Sequence, residues 1–143
     1  MLVNVSYNNK TIKTRIDEMV GAPFSLSERI KRGGIGSPRL VITEMSVQIH
    51  NLMVLDSNRN VCNIEMRPKG IIVGFRSLLE SYALVIPYYK LVLYKGKAEE
   101  YSIYLDDYFI KIAATKEAAG VHRFMRKLLD AKAHNAPTRL EDL

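Results

Sequence analysis

The residues of this chain that could support nucleophilic or metal chemistry are few and widely spaced. The histidines are His50, His122 and His134, and the single cysteine is Cys62. No histidine lies near another histidine, or near Cys62, at the spacing of a metal-binding motif. A catalytic cysteine needs a base and an electropositive setting, whereas Cys62 alternates with Ile64 and Met66 on a predicted buried face. We therefore expect surface or packing roles for the histidines, an inert buried thiol, and neither metal nor cofactor.

Two further patterns resemble catalytic or phosphate-binding motifs, and both have a simpler structural explanation. Glu99-Glu100 and Asp106-Asp107 are paired carboxylates, but general acid–base catalysis needs opposed carboxyl groups in a cleft. Adjacent acidic residues in turns point apart and remain hydrated. The segment 32–37, RGGIGS, lacks the phosphate-loop pattern and leads into a strand instead of a helix. With no nucleophile–base pair in the sequence, we expect a protein that is not an enzyme.

The clearest group of like charges lies on the predicted C-terminal helix. The chain has a net charge of +6, and its basic excess is spread along the sequence. The candidate polyanion-binding residues are Lys116, Arg123, Arg126 and Lys127. Tyrosines interleaved with lysines between residues 82 and 111 could add base stacking, so weak nucleic-acid or anionic-lipid binding is the alternative function. We favour a solvated basic face, because so modest a surplus of charge should supply little affinity.

Length and composition favour one globular domain. The chain has 143 residues, of which 48% are hydrophobic and 25% are charged, and both fractions are ordinary for a globular protein. A single cysteine cannot form an internal disulfide, which suits a reducing compartment. The N-terminal residues show no signal-peptide pattern, and the apolar runs are far shorter than the ~20 residues of a membrane span. We expect a cytoplasmic protein without a membrane span.

Residues 1–39 are predicted to form an N-terminal extension that contains a hairpin, a short helix or both. Alternating apolar residues before the turn signal Asn8-Asn9 indicate the hairpin. Ser25 and Glu28 have the spacing of a capping box, which predicts a short helix that ends near Arg32.

From Leu40 onward the sequence predicts antiparallel strands joined by tight turns. The first strand runs from Leu40 to about Leu55, because Met45, Val47 and Ile49 alternate with polar residues. The other strands are predicted over 61–66, 71–75, 82–86, 88–94, 101–105 and 108–112, which makes seven in all. The segments 82–86 and 88–94 are apolar on both faces, so we expect them to be central or sandwiched.

One amphipathic helix follows the last predicted strand. Thr115 is a suitable N-cap for it. Its apolar residues at helical spacing are Val121, Phe124, Met125, Leu128 and Leu129. We expect this face to pack on the sheet. The helix ends at residues 135–137, and residues 135–143 are predicted to be a flexible tail.

The block KGIIVGF…YALVIPYYKLVLYKG, which starts at Lys69, resembles bacterial pleckstrin-homology-like domains. Such sequences often carry an Ile-Pro-Tyr step between two middle strands, and here the step is Ile86-Pro87-Tyr88. The resemblance covers about residues 40–132. It implies a mostly β fold with one helix: a bent seven-stranded antiparallel barrel or sandwich, over residues 40–134, capped by the C-terminal helix.

The resemblance also implies a kind of function. Such domains are mostly adaptors, and the bacterial members look like oligomerising or protein-binding modules. Eukaryotic relatives bind phosphoinositides through basic residues in the first strand-to-strand loop. The matching loop, 56–60, holds one basic residue, Arg59, so phosphoinositide binding is not expected. We predict a cytoplasmic binding module that acts by protein–protein contact or as a homo-oligomer, with residues 1–39 as a strand-exchanging arm or an addition to the sheet.

Overall fold

The computed structural model describes residues 1–54, 60–96 and 99–135. Within these residues the elements are β1 (Leu2–Asn4), α1 (Lys10–Val20), α2 (Leu26–Lys31), β2 (Leu40–Met45), α3 (Val47–Met53), β3 (Val61–Arg67), β4 (Gly70–Ser77), β5 (Glu80–Pro87), β6 (Val92–Lys95), β7 (Glu100–Leu105), β8 (Tyr108–Ala113) and α4 (Ala119–His134). The predicted combination of a β-rich domain with a C-terminal helix is confirmed. Among the described residues, no helix is both long and apolar enough to cross a membrane.

The strands form one antiparallel sheet in the order β1-β5-β4-β3-β2-β8-β7-β6. β2 joins the two halves of this sheet, which are β1-β5-β4-β3 and β8-β7-β6. Leu40 and Val41 pair with β3, whereas the stretch from Ile42 to Met45 pairs with β8. The register shifts between Ile42 and Glu44, and such a bulge bends a strand from one half of a sheet to the other. The sheet does not close into a barrel, since β1 and β6 are its two edges. The sheet has eight strands in the described part of the chain, one more than the predicted seven, because β1 of the N-terminal extension joins the seven strands that follow it.

The N-terminal extension adds both a strand and a helix to the sheet of its own chain. β1 pairs antiparallel with β5, and the predicted N-terminal hairpin is wrong. The Asn9 side chain instead caps α1, accepting from the Thr11 and Ile12 N–H groups at 3.0 and 3.2 Å. Asparagine is favoured in both roles, which is why the Asn8-Asn9 signal was ambiguous.

α1 covers part of the outer face of the sheet. Ile16 and Val20 pack there in a small hydrophobic cluster with Ala83 and Val85 of β5. The Arg67 guanidinium at the end of β3 donates to the Asp17 carboxylate at 3.0 Å and to the Gly21 carbonyl oxygen at 2.9 Å. The C-terminal end of α1 is therefore fixed to the sheet by apolar contact and by charge-assisted hydrogen bonds.

The predicted short helix after Ser25 is confirmed as α2, whose N-cap side chain accepts from the Glu28 N–H at 3.3 Å. The predicted first long strand, by contrast, stops at Met45, and α3 follows. Ile49 and Met53 are buried while Val47 is exposed, as the four-residue spacing of a helix requires. Leu55, where that strand was predicted to end, and the predicted turn over 56–60 apart from Asn60 lie outside the described residues.

The main hydrophobic core lies between the inner faces of the strands, α3 and α4. Phe124, Met125 and Leu128 are buried in it and Val121 packs against it, so the predicted apolar face of α4 is confirmed. The helix begins later than predicted, with Ala118 at the N-cap. Thr115 instead starts a turn, in which its carbonyl oxygen accepts from the Ala118 N–H at 3.0 Å. The predicted tail, beyond Asn135, lies outside the described residues.

Candidate functional site

The side chains with potential for catalysis are not brought together by the fold. Cys62 is buried in the main core, as predicted. His50 is exposed on α3 and His134 is exposed at the end of α4. Asp106-Asp107 forms the predicted exposed turn between β7 and β8. In the described residues, no three histidine, cysteine, aspartate or glutamate side chains lie close enough to hold a metal ion together.

Burial raises the pKa of the Cys62 thiol to about 12. Because the thiolate is the reactive form, the native thiol should react with a disulfide reagent at about pH 8 on the order of a thousandfold more slowly than the thiol of the urea-unfolded chain. Spectroscopic assay with an aromatic disulfide checks this. A native rate within about tenfold of the unfolded rate would contradict the assignment of Cys62 as an inert core residue.

Among the described strands the sheet ends at β6, whose one neighbour there is β7. The Gly96 N–H donates to the Glu100 carbonyl at 2.9 Å, and hydrogen-bonded pairs alternate along an antiparallel ladder. The backbone groups of Tyr94 therefore face β7, and those of Leu93 and Lys95 face away from it. No described residue hydrogen-bonds with the outward groups of these two residues. β6 is consequently an open strand edge.

The side chains around β6 are also exposed, which contradicts the predicted central position. Val92 and Tyr94 are 55% and 60% exposed, whereas Leu93 between them packs against the main core. The strand is shorter than predicted, because the chain turns after Pro87 and the Leu91 N–H donates to the Pro87 carbonyl at 3.1 Å. The apolar pattern of 88–94 reflects one buried side and one uncovered side.

A groove of about 530 Å³ lies between the end of β6, β7 and α4, and we call it the basic groove. Its lining includes Lys95, Tyr101, Lys116, His122, Arg126 and Leu129, together with the acidic residue Glu99. Three elements of different parts of the sequence thus contribute to a single concave surface.

Hydrogen bonds hold one wall of the basic groove in place. The Tyr101 hydroxyl lies 2.7 Å from Nδ1 of His122, and Nε2 of His122 lies 2.8 Å from the Thr115 carbonyl oxygen. A carbonyl can only accept, so Nε2 donates to it; in the tautomer protonated at Nε2 alone, Nδ1 accepts from the Tyr101 hydroxyl. This chain of hydrogen bonds connects β7 to the start of α4.

The cations of the basic groove are available to an external anion. Lys95, Lys116 and Arg126 form neither ion pairs nor side-chain hydrogen bonds with other residues of the described part of the chain. The Lys95 ammonium lies 5.9 Å from the centroid of the Tyr101 ring. By contrast, the Lys90 ammonium lies 3.6 Å from the Asp106 carboxylate, and the Lys111 ammonium lies 3.2 Å from that of Glu44.

The four residues predicted to bind polyanions do not share one site. Lys116 and Arg126 line the basic groove, and Arg123 is exposed on α4 outside its lining. Lys127 points to another side of the helix, where its ammonium donates to the Arg32 and Gly34 carbonyl oxygens. Lys95 joins the groove from β6, and in the sequence it stands out only as one lysine among the tyrosine-rich strands.

Comparisons of the chain with protein-family models, with curated proteins and with solved structures gave no match. Its function is therefore inferred from its own residues.

Proposed function

We propose that this protein is a cytoplasmic, non-enzymatic binding module with a pleckstrin-homology-like domain over residues 40–134, which adds an extended segment of a partner protein to its sheet at β6. The seven strands from β2 to β8, followed by α4, support the domain assignment. The buried free thiol of Cys62 supports a reducing compartment.

The observation that carries the proposal is the open edge of β6. An exposed edge presents unpaired N–H and C=O groups that can template another strand. Here these groups belong to Leu93 and Lys95, and the exposed Val92 and Tyr94 side chains beside them can contact alternate side chains of the added segment.

β1, at the other edge, is a poorer acceptor. It has only three residues. The chain that follows it remains bonded to β5, with the Val5 N–H donating to the Ser81 carbonyl oxygen at 2.8 Å and the Asn4 amide donating to Glu80 at 3.1 Å. β6 has four residues and two exposed apolar side chains, so it offers the longer edge to a partner.

A partner protein is favoured over a second copy of the chain because of charge. Self-association at β6 would bring together two chains of net charge +6, each with unpaired cations beside the joined edge. Juxtaposed like charges oppose association, whereas a partner of opposite charge is attracted.

Replacing Lys95 with proline should abolish strand addition while leaving the fold intact. The Lys95 N–H faces away from β7, so proline removes a donor to the partner without removing a bond of the native ladder.

The full chain would first be used to select displayed random peptides. We expect bound peptides to protect the Leu93 and Lys95 amides from hydrogen exchange, and Lys95→Pro to weaken binding at least about tenfold.

Lys95→Ala is the matched control, because it keeps the backbone donor and should retain more affinity than Lys95→Pro. Circular dichroism and thermal melting would verify that both variants fold. The proposal would be contradicted if the selected peptides bound Lys95→Pro with the same affinity as the wild-type chain. A wild-type dimer in sedimentation equilibrium that becomes monomeric in Lys95→Pro would show that a second copy occupies the edge.

A further inference from the structure

We infer that the segment added at β6 is acidic and places a carboxylate in the basic groove. This inference rests on the proposed function, because the groove begins where β6 ends. Lys95 is the last residue of β6 and also lines the groove, and Gly96 continues the lining. A segment paired with β6 that continues past Lys95 therefore passes beside the groove, where a side chain can reach the cations of its lining.

The charges of the groove select the partner. Lys95, Lys116 and Arg126 outnumber Glu99 in the lining, and none of the three cations forms an ion pair or a side-chain hydrogen bond with another described residue. Hydrogen bonds between a carboxylate and lysine or arginine are charge-assisted and stronger than neutral ones. An acidic side chain thus gains contacts here that its uncharged amide does not.

The size and walls of the groove suit single side chains of an extended segment. A volume of about 530 Å³ is enough for a few side chains. Successive side chains of a strand point to opposite faces, so every second residue of the segment faces the groove. Leu129, which is exposed, provides an apolar contact for the methylene groups of an acidic side chain.

The same observations disfavour a nucleic acid in the groove. Stacking of a base needs an accessible aromatic face, and Tyr101, the aromatic residue of the lining, is only 5% exposed. A phosphate backbone would also need a continuous basic surface. On α4 that surface is divided, because Lys127 is held by backbone carbonyls on another side of the helix.

The test uses the selected peptides whose binding is lost in Lys95→Pro. We expect these peptides to share an acidic residue at one fixed position. Each would be synthesised with that residue as the acid and as the corresponding amide, and binding measured by fluorescence anisotropy at about 0.15 M salt. The acidic form should bind the wild-type chain about tenfold more tightly than the amide form.

The double variant Lys116→Glu, Arg126→Glu should lose this preference. Its affinity for the acidic peptide should fall about tenfold or more, while its affinity for the amide peptide should change little. Arg123→Glu is the matched control, since it lies on the same helix outside the groove lining and should keep the preference. Thermal melting of each variant would confirm that the fold is retained.

If the two peptide forms bind the wild type equally, and neither binds Lys95→Pro, the acidic preference is overturned and the proposed strand addition stands. If the selection gives no peptide, the acidic preference and the proposed strand addition are both overturned. Binding of a single-stranded oligonucleotide that survives at about 0.15 M salt, and is lost in the double variant, would overturn the inference in favour of a nucleic acid.

Discussion

Replacing Phe124 with alanine should lower the free energy of unfolding by about 3–5 kcal/mol. Phe124 is 6% exposed and belongs to the main core, where α4 packs on the sheet. Truncation removes most of a buried ring, and the strands around it can collapse only partly into the cavity. Urea denaturation followed by circular dichroism measures the change.

Leu129→Ala is the control for this substitution, because Leu129 lies on the same helix but is 45% exposed. It should cost far less than Phe124→Ala, on the order of 1 kcal/mol or below. If Phe124→Ala also stayed within about 0.5 kcal/mol of the wild type, the packing of α4 on the sheet would be refuted.

Replacing Gly70 with alanine should destabilise the fold by about 3 kcal/mol, at the upper end of the range for overpacking. A Cβ at Gly70 would lie 2.4 Å from the Ile86 carbonyl oxygen, 2.6 Å from Cγ1 of Val20 and 2.8 Å from Cα of Pro87. Two of these neighbours are backbone atoms, so relief requires the strand or α1 to move. Equilibrium unfolding in urea gives the loss.

Gly74→Ala provides the matched control in the same strand. A Cβ there would meet only the Asn63 carbonyl oxygen, at 3.9 Å. Stability should remain within about 0.5 kcal/mol of the wild type or rise slightly, because alanine restricts the unfolded chain. Equal losses at the two positions would contradict the close approach of α1 to the start of β4.

The parts of the fold that follow from local patterns were predictable from the sequence. Asp106-Asp107 marks the turn between β7 and β8, and the spacing of Phe124, Met125 and Leu128 marks the buried face of α4. Such signals need only neighbouring residues, since turn chemistry and amphipathic periodicity act within a few positions.

The parts that depend on tertiary contacts were not predictable. The alternation of Met45, Val47 and Ile49 indicates a strand, yet a short helix also buries Ile49, together with Met53. Nothing near β6 in the sequence shows that it lies at an edge, because that depends on the order of strands distant from it.

The candidate site was predictable only in part, for the same reason. Helical spacing groups Lys116 and Arg126 with Arg123 and Lys127, but packing of α4 decides which of them face the groove. The contribution of Lys95 requires β6 and α4 to meet in space.

The order of strands also bears on how the chain folds. β3, β4 and β5 follow one another along the chain and pair as neighbours, as do β6, β7 and β8, so each group can form from local contacts. The pairs Ile42–Ile112 and Leu2–Leu84 instead close long loops, whose entropic cost slows folding. During synthesis β2 leaves the ribosome long before β8. The two halves of the sheet are therefore united only after nearly the whole chain has been made.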